Sequence, residues 1–581
     1  MANLSQMKRE KMLSFLESLK AQHVDDESLM AFNQIEKELT SKKYGIVWED
    51  HEENVDIMLK NNIPVFTEKK DREILSISED SFNFLLEGDN LHSLLLLEKT
   101  HKGKIDVIYI DPPYNTGSED FKYDDNFIDS LDGYRHSKWI SFMYTRLKVA
   151  NKLLTENGII MISIDENEIS QLKMLCDEIF GEDNRLSTHH IQVRYANKSL
   201  NEDNDWQPVM EYVLIYAKNK KTFKANKPSE PYDLSKFCYE ITELSEGKTI
   251  EVGNKKVTIF KEGDWKIEQK SEGKVGLLKE TWASGSIVRQ SGTAAEFLSK
   301  YLIDRKDEDG LNVLYKIHNM GEDGLGYRYV TGPKKADAIR GKFYTGVPLE
   351  RIEELKTGES NKTRPIPNYY DYSGDFGNIR HEGGVPFNNG KKPVRMLKDL
   401  INYHPDKNVT VLDFFAGSGS TAQAVLELNK EDGGNRKFIL CTNNEGGICE
   451  NITYKRINNV IKGYGKYNGI PANLKYYCTD FVNKEDDEVL EKLILHIKEM
   501  VQLEFGIDFN DKSIYLIDDD ETADAFEKNI KYNVATDLQT ILLSQDVLLS
   551  TSQEKILSKF NVYTIPDRYF ESELREIGEI W

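Results

Sequence analysis

The sequence predicts an α/β protein built on a doubly wound, largely parallel sheet. Short apolar runs alternate with segments of helical period over residues 76–220, and the same pattern returns over residues 386–475. Two of these runs end in turns that are rich in polar residues, proline or glycine, one at Asp111 and the other at Asp413. Because such sheets bind ligands at the carboxyl ends of their strands, we expect both turns to lie on one rim.

Changes in pattern divide the chain into five segments. The predicted segments are residues 1–75, 76–220, 221–385, 386–475 and 476–581. The first is largely helical, since the apolar residues at 13, 15, 16 and 19 are spaced as one helical face. The second and fourth supply the sheet, and a helix near Trp139 to Leu154 separates two of its strands. The third has short β-like runs and little helical period, so it is an insert. The last is acidic and indicates a small α/β unit.

Residues 111–117 read Asp-Pro-Pro-Tyr-Asn-Thr-Gly at the end of a buried strand. These residue types suit methylation of an exocyclic amino group, whose lone pair is delocalised into the ring. The carboxylate of Asp111 and the backbone carbonyl of Pro112 can each accept one N–H, and the prolines hold that carbonyl rigidly, with Pro113 shaping the turn. Tyr114 can stack on a base that has left its duplex. The alternative is an ordinary proline turn after a strand.

Residues 409–421 form a strand, a Gly-x-Gly turn and the start of a helix, which together can cradle a nucleotide. Glycines let the backbone approach a ligand, and helix-start N–H groups can meet a carboxylate. A phosphate loop is excluded because no Lys follows the second glycine. A dinucleotide would suit the turn, but S-adenosylmethionine fits better, with its amino-acid end at the turn. The candidate residues are Asp413, which would orient the turn, with Phe414, Ala416, Gly417, Ser418, Gly419 and Thr421.

The strand at 437–441 follows the predicted cofactor helix. Either Glu445 or Asn443, just past its end, could meet the ribose hydroxyls of the cofactor. The alternative to ribose binding is that both side chains are simply exposed to solvent.

The two motifs, in this order and separated by a long insert, resemble the beta class of amino-group DNA methyltransferases. Within that class the chain resembles the Mod (modification) subunits of type III restriction-modification systems. The resemblance covers roughly residues 40–470 and includes the segments 86–90, 121–127, 158–165, 211–218 and 387–393. It implies that Asp89 lies near the cofactor's adenine and that Lys392 and Pro393 form the element before the cofactor strand. The family often has a His where Met210 stands, and this chain departs from the family pattern there.

This resemblance implies a Rossmann-like sheet with circularly permuted motif order. Residues 76–220 would be the catalytic half, 386–475 the cofactor-binding half, 221–385 a target-recognition domain overhanging the rim, and 476–581 a subunit or partner contact. The reaction would be direct transfer to N6 of a flipped-out adenine, which Asp at 111 favours over N4 of cytosine. A homodimer acting on double-stranded DNA is implied, with a separate helicase-nuclease (Res) subunit, since the chain shows no helicase-type ATP loop.

Composition sets limits on these interpretations. A chain of 581 residues with 39% hydrophobic and 10% aromatic residues should fold into several domains. No apolar run approaches a membrane span and the N-terminus shows no signal-peptide core, so we expect a cytoplasmic protein. Five cysteines without ligand spacing indicate reduced thiols and no metal site.

Net charge argues against DNA binding, because a protein with a formal charge of −22 should repel a polyanion. Its distribution partly answers the objection. The last 102 residues contain 24 Asp and Glu against 10 Lys and Arg, whereas residues 331–400 contain 13 Lys and Arg against 9 Asp and Glu. Aromatic residues interleave with this basic stretch and would suit splayed bases, although core packing is the alternative for each of them: Phe343, Tyr344, Tyr369, Tyr370 and Tyr372.

Two other functions remain open on the sequence. The chain could be a stand-alone methyltransferase in epigenetic control, or a recognition subunit whose catalytic motif has decayed. The intact Asp111–Tyr114 motif and the glycines at 417 and 419 argue against decay. Related enzymes that act on RNA or on glutamine side chains are disfavoured by the long insert.

Overall fold

The computed structural model describes residues 4–23, 25–40, 48, 51–78, 81–117, 122–123, 126–127, 132–198, 205–282, 294–321, 323–338, 341–357, 360–386, 390–508, 514–531, 538 and 540–578. The chain divides into two compact units, one formed by residues 1–226 with 367–581 and the other by residues 227–366. Arg340, one of the basic residues counted over residues 331–400, and the start of the Lys-Pro segment, residues 387–389, lie outside the described residues.

The larger unit is organised around a mixed sheet of ten strands within the described residues. From one edge to the other the strands are Asn62–Glu68, Asn473–Asn483, Phe82–Glu87, Lys437–Thr442, Thr410–Asp413, Ile105–Ile110, Leu154–Ile164, Met210–Ala217, Arg185–Gln192 and Tyr369–Asp371. The second to seventh of these run parallel to one another. The fold class predicted from the sequence is therefore confirmed.

The strands that carry the two motifs are direct neighbours. Val411 and Leu412 pair in parallel with Val107 and Ile108. All four side chains are fully buried, as expected for a strand covered on both faces. The strand order thus brings Asp111 and Asp413 to the same rim of the sheet, although most of the chain separates them in sequence.

Helices accompany the sheets of the larger unit. In the larger unit they are Leu4–Lys20, Asp26–Thr40, Asn54–Asn61, Asn90–His101, Arg135–Leu153, Ile169–Cys176, Ser373–Asn378, Val394–Ile401, Ser420–Asp432, Lys455–Lys462, Val489–Leu495, Ile497–Phe505, Asp520–Lys531, Thr551–Leu557 and Asp567–Ile577. Capping residues mark the ends of two of these helices. The Asp89 side chain accepts from the Leu91 N–H at 2.7 Å and caps the start of helix Asn90–His101. Gly433, in the left-handed region, ends helix Ser420–Asp432. Among the described residues no helix is long and apolar enough to cross a bilayer.

The sheet incorporates chain from both predicted terminal segments. Strand Asn62–Glu68 pairs with Asn473–Asn483, which crosses the predicted boundary at residue 475. A separate parallel sheet follows, with three strands in the part of the chain that is described: Ile514–Ile517, Thr540–Ser544 and Asn561–Ile565.

The smaller unit is an antiparallel β structure. Over the described residues its main sheet has eight strands, which are Phe237–Glu243, Lys248–Val252, Lys255–Phe260, Trp265–Gln269, Leu278–Trp282, Leu314–His318, Tyr327–Thr331 and Lys342–Thr345. Strands Ser229–Pro231 and Asn361–Thr363 form a separate pair, and the helices are Ala294–Phe297, Lys306–Asp309 and Leu349–Thr357.

This unit is shorter than the predicted insert at both ends, because the flanking residues belong to the larger unit. The Asn226 N–H donates to the Tyr403 carbonyl at 2.8 Å, and Tyr369–Asp371 is a strand of the large sheet.

Three of the five aromatics proposed to face bases are core residues instead. Phe343 and Tyr344 lie buried in the smaller unit, and Tyr372 is buried in the larger one, where its hydroxyl donates to Asp399 at 2.7 Å. Phe343 and Tyr344 are consecutive strand residues and pack into two separate hydrophobic clusters, so both are buried. Tyr369, by contrast, is 52% exposed.

Candidate active site

A cavity of about 1140 Å³ opens at the carboxyl ends of strands Ile105–Ile110 and Thr410–Asp413. Both sequence motifs contribute to it. The predicted residues among its lining are Asp89, Asp111, Pro112, Pro113, Tyr114, Lys392, Asp413, Phe414, Ala416, Gly417, Ser418, Thr421, Asn443 and Glu445. Gly419 starts the adjoining helix and Pro393 precedes helix Val394–Ile401, and neither lines the cavity. The structure therefore gathers the two predicted half-sites into one continuous space.

Asp111 lies in a network of four polar side chains. The Tyr114 hydroxyl donates to Asp111 Oδ1 at 2.9 Å and lies 3.0 Å from Glu211 Oε2. Lys392 Nζ is 3.2 Å from Asp111 Oδ1, 2.7 Å from Glu211 Oε2 and 2.7 Å from the Tyr114 hydroxyl. One ammonium group therefore joins the Asp111–Tyr114 motif to Glu211, which lies in a distant part of the sequence.

Burial and charge oppose each other within this network. Burial raises the pKa of Asp111, the Lys392 ammonium partly lowers it again, and the Glu211 carboxylate adds to the rise. Burial lowers the pKa of Lys392, but Asp111 and Glu211 outweigh burial and raise it above its ordinary value. Lys392 is therefore cationic at neutral pH. Tyr114, whose pKa is raised by burial and by both carboxylates, keeps its proton.

The proline turn is held in place from outside the motif. The Trp139 indole N–H donates to the Pro113 carbonyl at 2.7 Å. Asn115 has φ of +57° and donates to the buried Glu168 at 2.5 Å, which fixes the chain just past Tyr114. Among the described residues no donor reaches the Pro112 carbonyl, and Pro112 lines the cavity. As far as the described residues show, the turn thus leaves the Pro112 carbonyl as an unbonded acceptor beside Asp111.

Asp413 orients the glycine turn. Its Oδ1 accepts from the Phe415 N–H at 3.0 Å and its Oδ2 accepts from the Thr421 hydroxyl at 2.5 Å. Gly417 and Gly419 have φ of +48° and +75°, in the left-handed region that favours glycine. Burial raises the pKa of Asp413 to about 7, with these hydrogen bonds opposing the rise. Among the described residues Asp413 forms no salt bridge, so this buried carboxylate faces the cavity without a cation.

A buried arginine supports the same turn from behind. The Arg456 guanidinium donates to the hydroxyls of Ser418 at 3.2 Å and Ser420 at 2.7 Å, and to Gln423 Oε1 at 3.0 Å. Its side chain is fully buried. The turn is therefore held rigid by its own aspartate on one side and by this arginine on the other.

A second buried arginine organises the side of the cavity that contains Asp89. Arg146 donates to both oxygens of Glu53, at 2.7 and 3.1 Å, and to Asn90 Oδ1 at 2.6 Å. It also lies 3.4 Å from Asp89 Oδ1. Glu53, Asp89 and Asn90 all line the cavity, together with Phe142, whose ring lies 3.7 Å below the guanidinium carbon.

Two predicted residues take positions that the motifs did not specify. Lys392, expected in the cofactor element, places its ammonium in the Asp111 network and 4.9 Å from the centre of the Tyr114 ring. Tyr114, expected to stack on a base, also uses its hydroxyl to bridge Asp111 and Glu211.

Three further residues were not identified from the sequence as members of the site: Glu211, Arg146 and Arg456. Charged residues in otherwise apolar segments were the available signal, since Glu211 is the second residue of the largely buried strand Met210–Ala217 and Arg146 lies within an apolar helix face.

Comparison with known proteins identifies the family. A family model described as DNA methylase, for N6 and N4 methyltransferases, matches residues 105–476, which include both motifs. The chain belongs to this DNA methylase family. Members of the family use S-adenosylmethionine. The resemblance stated from the motifs is therefore confirmed.

Type III modification subunits are among the relatives of this methylase. The StyLTI Mod subunit of Salmonella typhimurium is 32% identical over 66% of the chain and 56% of that protein. The EcoPI Mod subunit of Escherichia phage P1 is 31% identical over 74% of the chain and 69% of that protein. The methylase thus spans between half and just over two thirds of their lengths. Among solved structures, the cytosine-N4-specific PvuII DNA methyltransferase matches with a TM-score of 0.31 and 11% identity, covering 68% of this chain and 99% of its own.

Proposed function

We propose that the chain is a site-specific DNA methyltransferase that methylates N6 of adenine, using S-adenosylmethionine. One observation carries this proposal. The Asp111–Tyr114 turn and the Asp413–Gly419 turn, each suited to one half of the reaction, open into the same cavity on adjacent parallel strands. Family membership supports the same reaction class.

The cavity residues suit an adenine amino group. Asp111 Oδ and the Pro112 carbonyl are two acceptors on successive residues, and the amino group has two N–H donors to offer them. Accepting both N–H groups draws electron density back to the nitrogen and fixes its orientation, which supplies catalysis by positioning and electrostatics. The base must leave its duplex to enter such a cavity.

The residues around Asp413 fit the proposed cofactor. The structural test is the buried Asp413 carboxylate, which lacks a cationic partner among the described residues and would be stabilised by the ammonium group of a methionine moiety. The Gly419 N–H already donates to the Ala416 carbonyl at 2.8 Å, so the other backbone N–H groups of the Gly417–Gly419 turn and of the start of helix Ser420–Asp432 would meet its carboxylate. Asp89, and Glu445 or Asn443, would bind the nucleoside end. The bound cofactor would supply an activated methyl group.

By similarity to the Mod subunits, we assign the chain to a type III restriction-modification system, acting on double-stranded DNA in the cytoplasm as a homodimer with a separate nuclease subunit. The smaller unit would then read the target sequence. A stand-alone methyltransferase is the second candidate, and it shares every feature of the cavity. Light scattering tests the dimer, since a monomer has a mass of 67.0 kDa.

The decisive experiment is modification-sensitive sequencing of DNA from cells that express this chain alone. We expect N6-methyladenine at one short motif with the wild type and none with Asp111→Ala. Asp487→Ala, at an exposed position outside the cavity, is the matched control and should methylate normally. Purified Asp111→Ala should still bind S-adenosylmethionine. Modification at N4 of cytosine, or no modified motif with the wild type, would contradict the proposal.

A further inference from the structure

The ammonium group of Lys392 is the cationic centre of the Asp111 network. Its side chain is 8% exposed, and its nitrogen contacts Asp111, Glu211 and Tyr114 within 3.2 Å. A lysine so deeply buried is stable only when its charge is paired. Here the pairing is uneven, because two carboxylates face one ammonium group. Glu211, at 2.7 Å, is its nearer partner.

We infer that Lys392, anchored by Glu211, is a positioning residue that holds the Asp111 carboxylate in place and in its ionised form for the amino group of the base. This inference rests on the proposed function, methyl transfer to an amino group held by Asp111. Asp111 can accept an N–H from the base only with an oxygen that carries no proton. A buried carboxylate beside a second carboxylate would otherwise take up a proton, and the ammonium group prevents this.

Glu211 has two opposed effects in this arrangement. It holds the Lys392 ammonium within reach of Asp111, but its own negative charge favours protonation of Asp111. Removal of Lys392 and removal of Glu211 should therefore change the ionisation of Asp111 in opposite directions. No purely structural role produces that pattern, since loss of packing at either position would impair the site at every pH.

Other titratable groups also face this network and are left unmutated in the test, which is run at saturating S-adenosylmethionine so that ionisation of Asp413 does not limit cofactor binding. They are Tyr114, Tyr109 from the strand before Asp111, Asp413 from the neighbouring strand, and Asp165 beyond strand Leu154–Ile164. Tyr109, Asp413 and Asp165 interact with the network only through space. The variants described below change none of them.

The first test measures single-turnover transfer of labelled methyl groups from S-adenosylmethionine to unmethylated DNA between pH 5.5 and 9.5. For Lys392→Met we expect the acid limb of the pH–rate profile to move up by about 1–3 pH units, the effect of an opposite charge at this range. Lys392→Arg should restore most of the wild-type profile. For Glu211→Gln the acid limb should move down. Affinity for S-adenosylmethionine, measured by calorimetry at pH 8, should stay within about twofold in all three.

Two results would overturn the inference. If Lys392→Met weakens cofactor binding and leaves the acid limb in place, Lys392 serves the cofactor. If both variants lose rate equally at all pH values, the network is only structural. Absence of methyl transfer by the wild type would contradict the proposed function and leave the inference to a second measurement.

That measurement is the pH dependence of thermal stability, which requires no activity. Without the ammonium group, the folded-state pKa of Asp111 lies further above its unfolded value, so the ionised carboxylate destabilises the fold as pH rises. The deficit in Tm of Lys392→Met relative to wild type should therefore grow between pH 5 and pH 8. Adding Glu211→Gln should reduce that growth. A deficit that is the same at both pH values would refute the role assigned to Lys392.

Discussion

Replacing Arg146 with Met should destabilise the larger unit strongly and loosen the Asp89 side of the cavity. The guanidinium is fully buried and holds Glu53 with two hydrogen bonds and Asn90 with a third. Met fills a similar volume, so the main loss is the uncompensated charge that remains on Glu53. Removing one partner of a buried ion pair costs about 3–5 kcal/mol.

The predicted loss depends on pH. Burial already raises the pKa of Glu53, and Arg146 opposes that rise. In Arg146→Met the pKa rises further, so Glu53 takes up a proton at low pH and the penalty is relieved. The loss of stability should therefore be smaller at pH 5 than at pH 8. Adding Glu53→Gln, which removes the charge but keeps the shape, should recover part of it.

Urea unfolding followed by tryptophan fluorescence at both pH values measures this effect. The matched control is Arg395→Met, because the Arg395 side chain is 66% exposed and its pair with Asp375 lies at the surface. That change should cost no more than about 1 kcal/mol. A loss below about 1 kcal/mol for Arg146→Met at pH 8, or a loss independent of pH, would refute the reasoning.

Three further predictions concern the cavity. Affinity for S-adenosylmethionine should rise between pH 6 and pH 8 because Asp413 ionises over this range. In Asp413→Asn the affinity should no longer depend on pH. Calorimetry in two buffers measures both the affinity and the proton release on binding. Gly419→Ala should weaken cofactor binding, because the new β-carbon would lie 3.1 Å from a Thr453 methyl. Gly433→Ala, at the other end of the same helix with φ of +67° and open space, should cost only about 1 kcal/mol of stability and leave affinity unchanged. Trp139→Phe removes the indole hydrogen bond to the Pro113 carbonyl. It should slow methyl transfer in single-turnover kinetics with little effect on cofactor affinity. An unchanged rate would show that the proline turn is rigid without this hydrogen bond.

The features that the sequence predicted well are local ones. The strand before Asp111, the glycine turn after Asp413 and the helix that follows are each coded within a dozen residues, by apolar runs, prolines and left-handed glycines. The neighbouring positions of the two motif strands also followed from sequence, because ligands of parallel sheets bind at strand carboxyl ends. Segment boundaries were predicted less closely. Residues 62–68 and 369–371 pair as strands of the ten-stranded sheet, and Asn226 is hydrogen-bonded to Tyr403 of the larger unit. These contacts join residues that are far apart in sequence.

The chemical state of the site was decided by tertiary structure alone. Sequence by itself determined which residues could accept an amino group and which turn could cradle a cofactor, because those properties belong to residue types at short spacing. It did not reveal that Lys392 lies against Asp111, that Arg146 holds Glu53, or that Asp413 is buried with no cationic partner among the described residues. Ionisation depends on burial and on charges a few ångströms away, and only the folded chain brings residues from distant segments to those distances.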